Sequence, residues 1–484
     1  MILEASVGAG QGNVKVKIAP IMFSLMIAGF VGTFNETALN IALSNFIQVF
    51  SITESTVQWL TTGYLLTLGI LVPISGLLMQ WFTTRQLFLT AVIVSLIGAA
   101  VGAMAGSFEV LLAARILQAV GTGLLLPLMF NTVLIMFPAH KRGMAMGLIT
   151  MIFTAAPAVG PAVSGLLIAH LSWHWIFWLS FALMLLALCI GSLYMQNVST
   201  VTKPRIDVLS LMMSTVGFGG IVFGLSNAGE GDAGWSGSKV VLALSIGGIA
   251  LACFVVRQLR MDRPIMNLRA LKHRMFLVGT VLIFVCMMVN LMAVLLLPMF
   301  LIRVLEMSTL SAAIVLLPGG ILFGVLSPVI GRLFDRFGPK WLVIPGFILA
   351  SAAVWFLTTL TAASTLVFIT SVHMCLMLGL LLAWMPAQTN GLNQLPREMH
   401  RDGTAIMNTL SQIAGAVGVA MAVTLMTGGA GKYMQQVERV VEHSFTNAAL
   451  TAGIQDAFGL ALLIAIAAAV LSLFVTRVKV KMHR

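Results

Sequence analysis

An acidic side chain, Glu36, lies in the middle of the first long apolar segment of the chain, residues 19–45. Thr33 precedes it by three residues and Asn40 follows it by four, so on a helix the three side chains share one face. An ionisable group at membrane depth is costly in free energy and is kept mainly for a partner or a function. We therefore expect this polar stripe to face a cavity or another helix, and Glu36 to have a functional role. A carboxyl that only fastens helices together is the alternative.

A second ionisable side chain, Arg115, lies inside the apolar segment at residues 109–136, and Gln118 and Thr122 follow it on one helical face. Glu36 and Arg115 lie roughly 13 Å and roughly 9 Å from the outer ends of their segments, at the rise of an α-helix. The two side chains are therefore expected to meet, directly or through water. An arginine that only reaches for the membrane interface is the alternative.

The composition is that of a polytopic membrane protein. Of the 484 residues 59% are hydrophobic and 9% are charged, whereas a soluble domain carries about 25% charged residues. The net charge of +12 is scattered through short connections between apolar segments, which argues against a nucleic-acid partner. The four cysteines lie inside apolar segments, so we expect no disulfide framework, and the first segment should remain as a helix and not be removed as a signal peptide.

Fourteen segments are long enough to cross a membrane, which takes about 20 apolar residues. The predicted spans are 19–45, 56–80, 87–106, 109–136, 143–169, 175–196, 206–227, 238–259, 275–302, 309–331, 341–361, 364–391, 403–427 and 455–476. With both termini in the cytoplasm, 22 of the 27 lysines and arginines lie on the cytoplasmic side and four on the outer side, and the remaining one is Arg115. This asymmetry follows the positive-inside rule and predicts that orientation.

Two basic connections divide the chain into six, two and six spans. We predict a six-helix bundle at residues 1–200, two inserted helices at 201–270 and a second six-helix bundle at 271–484. Residues 428–454 are predicted to be the longest outer loop, with apolar spacing at 434–442 that suits a short amphipathic helix. That helix would lie on the membrane surface or cap an outer opening; a passive connector is the alternative.

Three short motifs fall on this map. The first is RILQAVGTG at residues 115–123, the second is APAVGPAVSG at residues 156–165, and the third is GRLFDRFGPK at residues 331–340. In the second motif small residues allow close helix packing, and proline bends the helix and frees a carbonyl.

These motifs, over essentially the whole chain, resemble the major facilitator superfamily, and in particular its fourteen-span drug:proton antiporter branch. The resemblance implies an all-α fold with fourteen transmembrane helices that exports lipophilic, often cationic compounds in exchange for protons. It also implies roles for individual residues. The implied proton-coupling residues are Glu36, Arg115, Asn40 and Gln118; the antiporter motif has Pro157, Gly160, Pro161 and Gly165; the cytoplasmic gating motif has Gly331, Asp335, Arg336 and Gly338.

The chain departs from the family pattern at several positions. Gln80 and Thr83 replace the aspartate and glycine of the first cytoplasmic motif, so the gating in the two halves is not expected to be symmetric. Ala119 replaces the glycine that follows the glutamine of the Arg-x-x-Gln-Gly motif. In the first span Asn35 occupies the family's aspartate position, and Glu36 is one residue later, which turns the carboxyl by about 100° around the helix.

The remaining predictions concern ligands and alternatives. Thr33, Asn35, Asn290 and Trp384 are candidates for the wall of a substrate cavity. No cofactor and no metal is expected, since the sequence lacks a phosphate-binding loop and metal-ligand spacing. We expect a protein that is not an enzyme and that acts as a monomer in the cell membrane, driven by the proton gradient. The expected partners are small-molecule drugs, protons and the lipid bilayer. The alternatives are an exporter dedicated to one lipid, peptide or metabolite, and a membrane sensor that does not transport.

Overall fold

A computed structural model describes residues 18–138, 141–198, 201, 207–228, 234–261, 264, 266–436 and 443–477. The first helices are α1 (Ile18–Ala38), α2 (Leu43–Phe50), α3 (Glu54–Val57), α4 (Trp59–Trp81), α5 (Thr84–Ala103), α6 (Phe108–Met136), α7 (Arg142–His170) and α8 (His174–Tyr194). They are followed by α9 (Val208–Ala228), α10 (Ser238–Arg260), α11 (Arg274–Met299), α12 (Thr309–Phe337), α13 (Lys340–Leu357), α14 (Leu366–Gln394), α15 (His400–Gln436) and α16 (His443–Ser472). Short 3₁₀ turns occur at Leu39–Ala42, Gly234–Ser236, Leu268–Lys272 and Arg397–Met399, and a π-helical turn at Phe300–Val304 continues α11.

The fold of the described residues is all-helical. Thirteen of their helices are long and apolar enough to cross a membrane. Helix α7 bends by 40° between Arg142–Pro157 and Val159–His170 and makes a fourteenth if it is counted as one span. The predicted all-α fold with fourteen spans is therefore confirmed, and the placement of both termini in the cytoplasm stays a prediction.

Local sequence explains where several helices begin. Thr83 precedes α5, and its hydroxyl accepts a hydrogen bond from Gln86 N, while Gln86 Oε1 accepts one from Thr83 N. This reciprocal capping satisfies two backbone donors that a helix start leaves without partners. Ser107 at the start of α6 and Ser308 at the start of α12 each accept one such bond. Thr83, where the family motif has glycine, thus serves as a helix cap.

The chain forms two compact units. Unit 1 comprises Met1–Gly219, Ile249–Ala270 and Leu395–Thr409. Unit 2 comprises Gly220–Gly248, Leu271–Gln394 and Leu410–Arg484. The predicted division of the chain at residues 201 and 271 stays a prediction.

Helices α1 and α6 form the centre of unit 1. Helix α1 packs against α6, α7 and α8, and α6 also packs against α4 and α5. The approach of α5 to α6 is close, because a Cβ added at Gly121 would lie 1.9 Å from Ser95 Oγ and 2.5 Å from the carbonyl of Ala91. Small residues permit such backbone contacts between membrane helices.

Helix α14 has the corresponding place in unit 2. It packs against α11, α12 and α13, while α16 packs against α11 and α13. Gln394, at the end of α14, accepts hydrogen bonds from Met275 N at 2.5 Å and Phe276 N at 3.1 Å. It thereby satisfies two donors in the first turn of α11.

The first predicted span, residues 19–45, is not one regular α-helix throughout. Helix α1 ends at Ala38, a 3₁₀ turn spans Leu39–Ala42, and α2 continues from Leu43. No glycine or proline in that turn signals a break. The turn packs against α7, so the tighter winding accompanies a tertiary contact.

The prediction of a long outer loop at residues 428–454 is also wrong, because residues 428–436 continue α15 and residues 443–454 belong to α16. Gly429 does not end its helix, since it lies against α16, where its Cβ would be 2.8 Å from Gly453 Cα and 2.6 Å from Asp456 Oδ2. The two helices pack closely where the sequence suggested a loop. Of the amphipathic segment predicted at 434–442, residues 437–442 lie outside the described residues.

Candidate functional site

Glu36 lies in the last turn of α1, immediately before the 3₁₀ turn. It is partly buried, and it makes no hydrogen bond or ion pair to another described residue. Among the described residues, Arg115 is the charged side chain near enough for its charge to act on Glu36. The structure therefore brings together the two predicted ionisable residues but does not join them as an ion pair.

The Arg115 guanidinium is fixed by backbone and amide oxygens instead. Its Nη1 donates to Asn35 O at 2.8 Å and to Gln118 Oε1 at 3.3 Å, and its Nε donates to Leu60 O at 3.4 Å. These acceptors belong to α1, α6 and α4. Arg115 is 1% exposed, so a cation in the core of unit 1 is held entirely by neutral acceptors among the described residues.

Tyr64 of α4 lies beneath this guanidinium, with the centre of its ring 4.2 Å from Arg115 Cζ. Its hydroxyl is 2.9 Å from Gly32 O on α1 and 2.9 Å from Thr122 Oγ1 on α6, and it donates to either. Gly32 permits this contact, because a Cβ at that position would lie 2.8 Å from Thr122 Cγ2. Tyr64 could not be predicted as a site residue, since an aromatic residue in an apolar segment carries no signal of its own.

Two polar neighbours of Glu36, Asn35 and Thr33, form hydrogen bonds. The side chain of Asn35 accepts a 2.7 Å hydrogen bond from the Ser180 hydroxyl on α8, and it is 4% exposed. Thr33 is also buried, and its hydroxyl donates to Gly29 O at 3.0 Å. The side chain of Asn40 lies outside the described part of the structure. Ser180 is a second site residue that the sequence did not predict.

The antiporter motif on α7 lies directly against this part of α1. The Thr37 hydroxyl donates to Pro157 O at 3.3 Å. A Cβ added at Gly160 would lie 2.6 Å from Thr37 Oγ1 and 3.4 Å from Ala38 N. Pro161 and Gly165 follow on the same helix and are partly buried. Thus α7 bends next to the residues where α1 changes from α-helix to 3₁₀ turn.

The cytoplasmic motif lies at the end of α12 in unit 2. Gly338 has φ +83°, a conformation that favours glycine, and it ends the helix. Arg477 Nη2 donates to the backbone carbonyl of Asp335 at 3.0 Å. The Arg336 guanidinium lies 5.2 Å from the ring of Phe337. Gly331 is buried one turn before Asp335 in the same helix.

The two cavity candidates of the second half also belong to unit 2. Asn290 lies on α11 and Trp384 on α14, and both are partly buried. Among the described residues, no group of three or more histidine, cysteine, aspartate or glutamate side chains is placed to hold a metal ion.

Comparison with known proteins agrees with this architecture. Residues 25–419 match the Major Facilitator Superfamily. The lincomycin resistance protein LmrB of Bacillus subtilis (strain 168) is 57% identical over 480 residues, which cover 99% of this chain and 100% of that protein. LmrB of Listeria monocytogenes (serovar 1/2a) is 53% identical over 468 residues, which cover 97% of this chain and 99% of that protein.

A solved structure shares the fold. The human organic anion transporter TETRAN superposes with a TM-score of 0.63 at 12% identity, over 94% of this chain and 99% of that one. At that identity the likeness concerns the fold alone. The family match and the 57% identical relative confirm what the motifs predicted: the chain is a multi-pass membrane protein that belongs to the Major Facilitator Superfamily.

Proposed function

We propose that this chain exports lipophilic, often cationic drugs across the cell membrane in exchange for protons, with Glu36 as the proton carrier. The observation that supports it best is the partly buried carboxyl of Glu36 in unit 1, near Arg115 but not paired with it. A carboxyl that is not committed to an ion pair can gain and lose a proton without breaking one. The names of its relatives, lincomycin resistance proteins, support drug export.

The position of Glu36 suits coupling to a conformational change. It lies between the regular part of α1 and a 3₁₀ turn, and α7 bends beside it. Short 3₁₀ stretches within helices often mark hinges. In this proposal, protonation of Glu36 and binding of drug exclude each other, and the transporter works as a monomer with no cofactor beyond the proton gradient.

The test is drug-driven proton release from purified protein in detergent and in sealed vesicles. Lincomycin and ethidium serve as two unrelated probes, and a pH-sensitive dye reports the released protons. Wild-type protein is expected to release protons on adding drug and to accumulate drug in inverted vesicles until an uncoupler is added. The Glu36→Gln variant is expected to bind drug without proton release and to lose uphill transport.

Glu109→Gln is the matched control, because Glu109 is an exposed acid in the first turn of α6. It should behave like wild type. If Glu36→Gln still accumulates drug in an uncoupler-sensitive way, Glu36 is not the proton carrier. Transport of lincomycin but not of ethidium would favour a dedicated exporter, and binding without any transport would favour a sensor.

A further inference from the structure

Tyr64 is the most completely enclosed aromatic side chain beside the proposed coupling pair, with 0% exposure. Its contacts reach three helices: its own α4, α1 through Gly32 O, and α6 through Thr122 Oγ1 and the Arg115 guanidinium. Proton exchange at Glu36 beside Arg115, as proposed, does not itself require Tyr64.

The guanidinium needs such support. A buried cation without a countercharge is costly, and here all of its hydrogen-bond acceptors among the described residues are neutral. The face of an aromatic ring attracts a cation through its quadrupole, most strongly when the site is shielded from water. The ring of Tyr64 covers one face of Arg115, while the acceptors on α1, α4 and α6 take its donors at the edge.

The charged and titratable groups around this site are few. Among the described residues, Arg115 is the charge that acts on Glu36, and Glu36 and Tyr64 are the titratable groups that act on Arg115. Helices α7 and α8 present the Pro157 carbonyl and the Ser180 hydroxyl to α1, which are neutral.

We infer that Tyr64 is a positioning residue, whose ring holds Arg115 against the backbone of α1 so that Arg115 stays near Glu36 without pairing with it. This inference rests on the proposed function of Glu36. Arg115 then acts as a fixed charge, and proton exchange requires a change at Glu36 only. If the ring is removed, the guanidinium is free to turn toward the carboxylate, and an ion pair forms that opposes protonation.

The experiment compares Tyr64→Phe with Tyr64→Leu. The first retains the ring over Arg115 and loses the hydroxyl; the second loses both. Protonation of Glu36 is followed by its reaction with a hydrophobic carbodiimide, which modifies protonated carboxyls in apolar sites, with mass spectrometry of the α1 peptide from pH 5 to pH 9. Glu36→Gln gives the background.

Tyr64→Leu is expected to move the midpoint of labelling to lower pH by about one unit or more, the size of shift that a nearby opposite charge produces. Tyr64→Phe should keep the wild-type midpoint. Both variants should unfold at lower temperature than wild type, because both lose the hydroxyl bridge between α1 and α6. A purely structural role would lower the unfolding temperature without moving the labelling midpoint.

Equal midpoints in all three proteins, or equal shifts in both variants, would overturn the inference. Should Tyr64→Leu fail to fold, Tyr64→Met takes its place, since methionine fills similar space without a ring. If drug releases no protons from wild-type protein but the labelling midpoint still moves in the leucine variant, the proposed export mechanism fails and the positioning role stands.

Discussion

The contact between Gly160 on α7 and Thr37 on α1 allows a quantitative prediction for Gly160→Ala. The new Cβ would lie 2.6 Å from Thr37 Oγ1, nearly 1 Å closer than an ordinary contact. Overpacking of this kind costs about 1–3 kcal/mol. If Thr37 rotates away instead, it gives up its hydrogen bond to Pro157 O, which contributes about 1 kcal/mol.

The substitution also has a favourable term. Alanine exceeds glycine in helix propensity by about 1 kcal/mol. The middle of the overpacking range less this gain leaves a destabilisation of about 1 kcal/mol. A Gly→Ala substitution at a position with no neighbouring atoms should show only the stabilisation that comes from higher helix propensity. Gly459 on α16 is such a position, because no heavy atom lies within 4 Å of its added Cβ.

The assay is unfolding of the purified protein in detergent, for wild type, Gly160→Ala, Thr37→Ala and the double variant, with Gly459→Ala as the control. Gly160→Ala should be less stable than wild type, and Gly459→Ala should be at least as stable. The double variant lacks the threonine hydroxyl that obstructs the new Cβ. It should therefore be no less stable than Thr37→Ala alone, which appears as a coupling energy of about 1–2 kcal/mol between the two sites.

Two results would refute this reasoning. If Gly160→Ala is as stable as Gly459→Ala, the close approach of α7 to α1 does not exist. If the two substitutions at positions 37 and 160 are additive, the steric conflict lies elsewhere on α7.

Three further predictions concern other parts of the chain. Arg257 donates to both carboxylate oxygens of Asp207 at 2.7 and 3.0 Å, and this bonding lowers the pKa of Asp207 from 3.8 to about 2. The pair therefore stabilises the fold fully above about pH 4, and its contribution falls as the pH is lowered toward 2. Asp207→Asn should be less stable than wild type at pH 7. In unfolding measured as a function of pH, this difference should shrink between pH 4 and pH 2. Gly338→Ala should lower the unfolding temperature, because φ +83° is strained by about 1 kcal/mol or more for any residue with a Cβ; an unchanged temperature would show that the end of α12 rearranges freely. A cysteine that replaces Ser51 should react with an impermeant maleimide added outside the cell, and one that replaces Lys141 should not, as the charge asymmetry predicts. Labelling of position 141 from outside would show that the predicted orientation is inverted.

Some features followed from the sequence because they depend on composition along one segment. The length and apolarity of the spans predict a membrane protein with fourteen helices, whatever their arrangement. Glu36 and Arg115 stand out because charge inside an apolar segment is rare and costly, so each is visible without its surroundings. The distribution of lysine and arginine predicts an orientation by the same kind of local reasoning.

Other features depend on which helices meet, and segment composition does not encode that. Tyr64, Ser180 and Leu60 reach residues between 32 and 145 positions away in the chain. A tyrosine, a serine and a backbone carbonyl in apolar segments look like packing until their partners are known. The sequence predicted that Glu36 and Arg115 lie at similar depth, but only the tertiary structure decided that Arg115 binds the backbone of α1.

The same reason accounts for the helix ends that the sequence missed. The break after Ala38 contains no helix-breaking residue, and it lies where α7 presses against α1 through Gly160. Conversely, Gly428 and Gly429 suggest a loop by their type, yet α15 continues through them, because the missing side chain at Gly429 lets Gly453 approach. Sequence determined which segments cross the membrane and where charge is buried within them. Tertiary contacts decided where the backbone departs from the regular α-helix and which partner each buried polar group has. A buried donor must be satisfied by whichever neighbour the packing supplies.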